Sequence, residues 1–259
     1  MKALIASFTL FAVAPMAYAQ VPRITVRVEK QADAQKQLLY ARKLIADASA
    51  TAGKSPAEGH AAVAVAAANL EAVGRGWPNE RSAIADANAL LVELYVRSGM
   101  SQNAVDAAKH ALDIEPDDYR VWASLAIAQQ RLGNAAAAAD AFRQSEQKFN
   151  GRRGDYRENV AVLNALRFDA EKQGQFARAA SLQRVMATLH GASSLDKLLY
   201  LQGALENTLK TNDRLLARKD LAALRDAYAD ALRESHNPME QAAINQAADA
   251  MQRFEAMLR

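Results

Sequence analysis

The sequence predicts an all-α fold built from antiparallel helix hairpins. Three observations carry that prediction. Glycine and proline are few, 11 and 6 in 259 residues, while alanine, the strongest helix former, recurs throughout. From Lys30 onward the apolar residues recur at helical rather than strand spacing. One pattern also occurs twice at a fixed distance: Leu91, Gly99 and Ala104 are followed 34 residues later by Leu125, Gly133 and Ala138. Self-similarity at that period marks a repeating unit of two helices.

Composition narrows the function classes. An apolar share of 51% supports a buried core, and the length allows one or two domains. The 32 basic and 29 acidic residues are interspersed, leaving a net charge of +3. Nucleic-acid binding needs a concentrated basic patch, so no nucleic-acid partner is expected. The absence of cysteine excludes disulfides, cysteine metal sites and thiol catalysis.

Residues 1–19 read as a cleaved secretory signal. Lys2 supplies the positive start, Leu4 to Ala14 is apolar, and Ala17-Tyr18-Ala19 fits a small-x-small cleavage site. The alternative is an uncleaved anchor, for which the apolar run is short. Residues 20–29 form an extended leader. Ile24, Val26 and Val28 alternate there with Arg23, Thr25 and Arg27, so a strand added to a partner's sheet is a second reading.

A single helical repeat domain is expected over residues 30–259. Its first helix carries Leu38, Leu39, Ala41, Leu44 and Ile45 as one stripe. Ser55-Pro56 caps a second helix, which runs to about Val73, and Gly74 to Asn79 reads as a loop. A third helix reaches Arg97. The two repeat copies follow, with Pro116 ending the second helix of the first. A third, degenerate copy is marked by Leu166, Gly174 and Ala179, the loop Asn150 to Gly154 absorbing seven extra residues. Beyond Gly191, a helix begins at Ser194-Leu195-Asp196 with Leu195, Leu198, Leu199 and Leu205 inward. Asn212-Asp213 punctuates, and a long helix follows. Asn237-Pro238 restarts the chain as a terminal helix, 238–259, with Ile244, Ala248, Met251, Phe254 and Leu258 on its apolar stripe. That helix is expected to cap the array; self-association through it is the alternative.

The second copy reads Trp122-x-x-Leu125-Ala126, then Gly133, then Ala138-x-x-x-Phe142 and Ser145. This resembles the tetratricopeptide repeat, clearly over residues 85–150 and more loosely to about 190. Gln129 and Asn150 depart from that family's pattern, as do Val92 and Ala108 in the first copy. The resemblance implies a right-handed superhelical solenoid whose first hairpin helices line a concave groove. On that mapping Arg97, Arg120, Arg131, Asn164, Phe168 and Lys172 face the groove. Three of them stand two residues before a repeat glycine: Arg97, Arg131 and Lys172. Such cations can hold a partner's carboxylates. Placed in a last helical turn, they also stabilise the helix through its dipole with no ligand at all.

No catalytic constellation is visible. His60, His110, His190 and His236 show no metal-ligand spacing, and neither a Gly-x-Ser-x-Gly elbow nor a phosphate-binding loop is present. Asp117-Asp118 suit a helix start. No enzyme activity, metal or cofactor is therefore expected. The expected function is that of an exported, periplasmic or secreted interaction scaffold. Its groove holds peptide or protein partners in a bacterial envelope assembly. The alternatives are a self-associating structural protein or, further off, a small-molecule or glycan binder using Trp77, Trp122 or the groove.

Overall fold

The computed structural model describes residues 33–52, 56–152, 154–235 and 237–259. The expected signal and leader lie outside them, as do Ser55, Arg153 and His236. The described residues form eleven helices and no strand: α1 (Ala34–Ala52), α2 (Pro56–Gly76), α3 (Arg81–Arg97), α4 (Ser101–Ile114), α5 (Tyr119–Arg131), α6 (Ala135–Lys148), α7 (Tyr156–Lys172), α8 (Phe176–Ala187), α9 (Ser194–Lys210), α10 (Arg214–Glu234) and α11 (Pro238–Leu258). None is long and apolar enough to cross a membrane.

The chain divides into two compact units. Among the described residues, one comprises those up to Pro116 with Ala128–Asn134, the other Asp117–Ile127 with Ala135–Arg259. In the first unit, consecutive helices α1 to α4 pack in sequence. Leu38, Val63, Leu70, Val73, Leu90 and Leu94 fill its core, with alanines where the helices approach closely. The second unit holds two clusters. Tyr119, Phe142, Leu163, Leu166 and Met186 form one. Leu198, Leu205, Leu224, Ile244 and Leu258 form the other, from α9, α10 and α11.

The repeat glycines have one structural role. Gly99, Gly133 and Gly174 sit at φ +73°, +81° and +71°. At each, the glycine N–H donates three residues back and the next N–H donates five back: Gly99 to Val96 and Met100 to Tyr95, Gly133 to Gln130 and Asn134 to Gln129, Gly174 to Glu171 and Gln175 to Ala170. That is the Schellman ending, whose left-handed residue favours glycine. Asn212, at φ 61°, takes the left-handed position after α9, a conformation asparagine tolerates through its short polar side chain.

Helix starts follow side-chain chemistry. Asp155 and Glu158 form a capping box on α7, and Ser193 with Asp196 forms one on α9. The α9 cap is thus Ser193, one residue before the expected start. Asn237 caps α11 with Pro238 in its first turn.

Three expectations differ from the structure. Helix α2 continues through Gly74 to Gly76, because Val73 is fully buried and glycine costs a helix only about 1 kcal/mol. Leu39 is 66% exposed and Leu199 is 45% exposed. Each adjoins a buried leucine, Leu38 or Leu198, and a helix turns about 100° per residue, so both neighbours cannot face the same core. The terminal helix buries Ile244, Ala247, Ala250, Met251 and Leu258, while Asn245, Gln246, Asp249, Gln252 and Arg253 stand on its outer side. The middle of that outer side is polar, as suits the end of a helical array, while Met239 and Met257 are exposed near the helix ends.

Candidate interaction face on α7

The six residues expected to face a groove have different fates. In the first unit, Arg97 is exposed and pairs with Glu93, one turn earlier, at 2.5 Å. Arg131 donates through Nη1 to the backbone carbonyl of Val96. That carbonyl belongs to the last turn of α3, where helices leave acceptors without intrahelical donors. Arg131 therefore caps the helix that Arg97 ends.

Arg120, in the second unit, is buried rather than groove-facing. Its Nε donates to Asp118 Oδ1 at 3.0 Å and its Nη2 to Asp118 Oδ2 at 2.7 Å, while Nη1 reaches Glu158 Oε2 at 3.4 Å. Two carboxylates hold this cation in place, which is what a buried charge requires. The Asn150 to Gly154 loop is shaped to the same cluster. Gly154 has φ +75°, and a Cβ there would stand 2.4 Å from Glu158 Oε2 and 3.3 Å from Arg120 Cδ. Tyr119, next in chain, is fully buried and donates its hydroxyl to Asn159 Oδ1 at 2.5 Å.

Asn164, Phe168 and Lys172 share α7, spaced by one turn each, so they fall on one face. Phe168 is 52% exposed and Lys172 is exposed. Sequence reasoning missed Arg167, which organises this face. Its guanidinium carbon lies 4.0 Å from the Phe168 ring centroid. Its Nη1 donates to both carboxylate oxygens of Glu171, at 2.8 and 3.0 Å, and its Nε to Asn164 Oδ1 at 3.3 Å. The available signal was the spacing of Arg167 and Glu171, four apart on a helix.

Residues from α8 and α9 support Glu171 from behind. Asn207 Nδ2 donates to Glu171 Oε1 and to Gln183 Oε1, both at 2.9 Å. Lys210 donates to Asn207 Oδ1 at 3.1 Å and stands 4.9 Å from the Phe176 ring centroid. Gln183 lies directly against Gly203, where a Cβ would come within 2.0 Å of its Nε2. The chain thus fixes a guanidinium over an aromatic ring beside an amide on one helix, with the exposed Lys172 one turn on. Such a face offers a partner stacking, amide hydrogen bonds and positive charge. Among the described residues no three of His, Asp or Glu converge as metal ligands.

No protein-family model and no curated protein matches the chain. Among solved structures it is similar to BtubC (BKLC) from P. vanneervenii, known from a crystal structure: 16% identity, 80% of this chain and 96% of that chain covered, TM-score 0.46. At that identity and score the similarity carries neither fold nor function across.

Proposed function

We propose that this chain is an exported tetratricopeptide-type scaffold, a right-handed helical solenoid that captures peptide or protein segments in the cell envelope without catalysis. The 34-residue period and the shared glycine endings support the repeat reading. The signal-like N-terminus supports export. The observation that carries binding is the exposed α7 face, where Phe168 is held under Arg167 beside Asn164 and Lys172. Large exposed aromatics beside arginine and amide groups are the composition of interaction surfaces. Self-association through α11 is the second reading, since Met239 and Met257 are exposed at its two ends.

A photoreactive phenylalanine analogue at position 168 tests the proposal in intact cells. Discrete crosslinked adducts are expected at 168 and not at Gln246 on α11. Lys172→Glu should weaken them by more than its loss of helix-end stabilisation, about 0.3–1 kcal/mol, accounts for. Equal labelling at both positions, or none at 168, overturns the reading.

A further inference from the structure

Helices α8, α9 and α10 line an open cleft of about 340 Å³, at the small end of ligand-site volumes. None of its lining residues is on α7. Its apolar lining is short: Ala187, Leu201, Ala223 and Ala227. Four charged groups also line it: Arg184, Lys197, Asp220 and Asp230.

The acids are already engaged. Asp220, nearly buried, receives Arg184 Nε at 2.8 Å on one oxygen and Arg184 Nη2 at 2.7 Å on the other. Thr208 Oγ1 also donates to it at 2.6 Å. Asp230 pairs with Arg233 outside the cleft. Glu234, close by, accepts from the Ser194 hydroxyl at 2.5 Å.

The cations are not used up. Arg184 directs Nε and Nη2 at Asp220, and Nη2 also donates to Thr208 at 2.7 Å. Its Nη1, carrying two N–H groups, bonds to no described residue, and neither does the Lys197 ammonium. A guanidinium locked by a carboxylate on one edge is held in a fixed orientation, so its free edge is presented at little entropic cost. The open donors in the cleft are therefore cationic, above a floor of alanines.

We propose that this cleft binds a small carboxylate with a short aliphatic tail. The carboxylate accepts from Arg184 Nη1 and Lys197, and the tail lies over Ala187, Ala223 and Ala227. A free alkanoate and the C-terminal end of a short-side-chain peptide share this chemistry.

Calorimetric titration of the full chain with hexanoate tests the site. Hexanoate should bind saturably, and neutral hexanamide at least about tenfold more weakly, the ratio expected between charge-assisted and neutral hydrogen bonds. Lys197→Gln should weaken hexanoate about fivefold, and Ala223→Leu should abolish binding by filling the floor. The melting temperature of each variant serves as the folding control. N-acetyl-dialanine binding more tightly than hexanoate assigns the natural ligand to peptide ends, and the reverse order assigns it to free alkanoates. Absence of saturable hexanoate binding overturns the proposal. So does hexanamide binding equally well, or both folded variants binding like the parent.

Discussion

Arg120 and Glu158 stand 3.4 Å apart although 38 positions separate them in sequence, and Gly154 fits over the pair. The loop that interrupts the repeat period is therefore fastened to a buried ion cluster. Gly154→Ala would meet Glu158 at 2.4 Å as well as forcing a left-handed backbone. We expect a loss of about 2–4 kcal/mol, combining backbone strain with disruption of a buried charge pair. Gly133→Ala, with nothing within 4 Å of the added Cβ, should lose only about 1–2 kcal/mol. Chemical denaturation of the two variants checks the difference; equal losses would show that the loop yields.

Gly203 and Gln183 make a second close approach. A helical glycine replaced by alanine ordinarily gains about 1 kcal/mol. Here the Cβ would stand 2.0 Å from Gln183 Nε2, so Gly203→Ala should destabilise. In the Gln183→Ala background the same change should become neutral or stabilising. A double-mutant cycle measures this coupling directly, and additive effects would refute it.

Tyrosine ionisation predicts the alkaline limit. Burial raises the Tyr95 hydroxyl above its ordinary value, with the Glu71 charge adding to the effect. Burial also raises Tyr156, followed by its hydrogen bond with Tyr200, the two hydroxyls being 3.2 Å apart. Tyr200 is raised by burial too, partly offset by that bond. A folded-state pKa above the unfolded one means that the native state retains protons the unfolded state gives up. Stability from these groups is complete below about pH 10 and falls as pH rises above it. Denaturation at several pH values should show that decline, and Tyr156→Phe should make it shallower. A stability that stays flat as pH is raised from about 9 to about 11 would contradict the assignment.

Helix positions and hairpin ends were legible in the sequence because they depend on local chemistry. Gly99, Gly133 and Gly174 each occupy the left-handed end of a helix, and Asn237-Pro238 opens α11. Single-residue facing was less legible: adjacent leucines at 38–39 and 198–199 fit one stripe equally well, and only packing separates them. The burial of Arg120 was invisible because Glu158 reaches it through a loop inserted between them. The support of α7 was hidden for the same reason. Asn207 meets Glu171 and Gln183 across separations of 36 and 24 residues, a coupling no local pattern encodes.

The three Schellman endings have a further consequence. Gly99, Gly133 and Gly174 share one hydrogen-bond pattern and nearly one φ, and each has open space where a Cβ would lie. A glycine-to-alanine change inflicts the same backbone injury at all three, with no packing contribution to confuse it. The chain therefore carries three matched internal gauges. Any difference in how strongly they respond measures how cooperatively each hairpin unfolds with its surroundings, rather than the severity of the substitution.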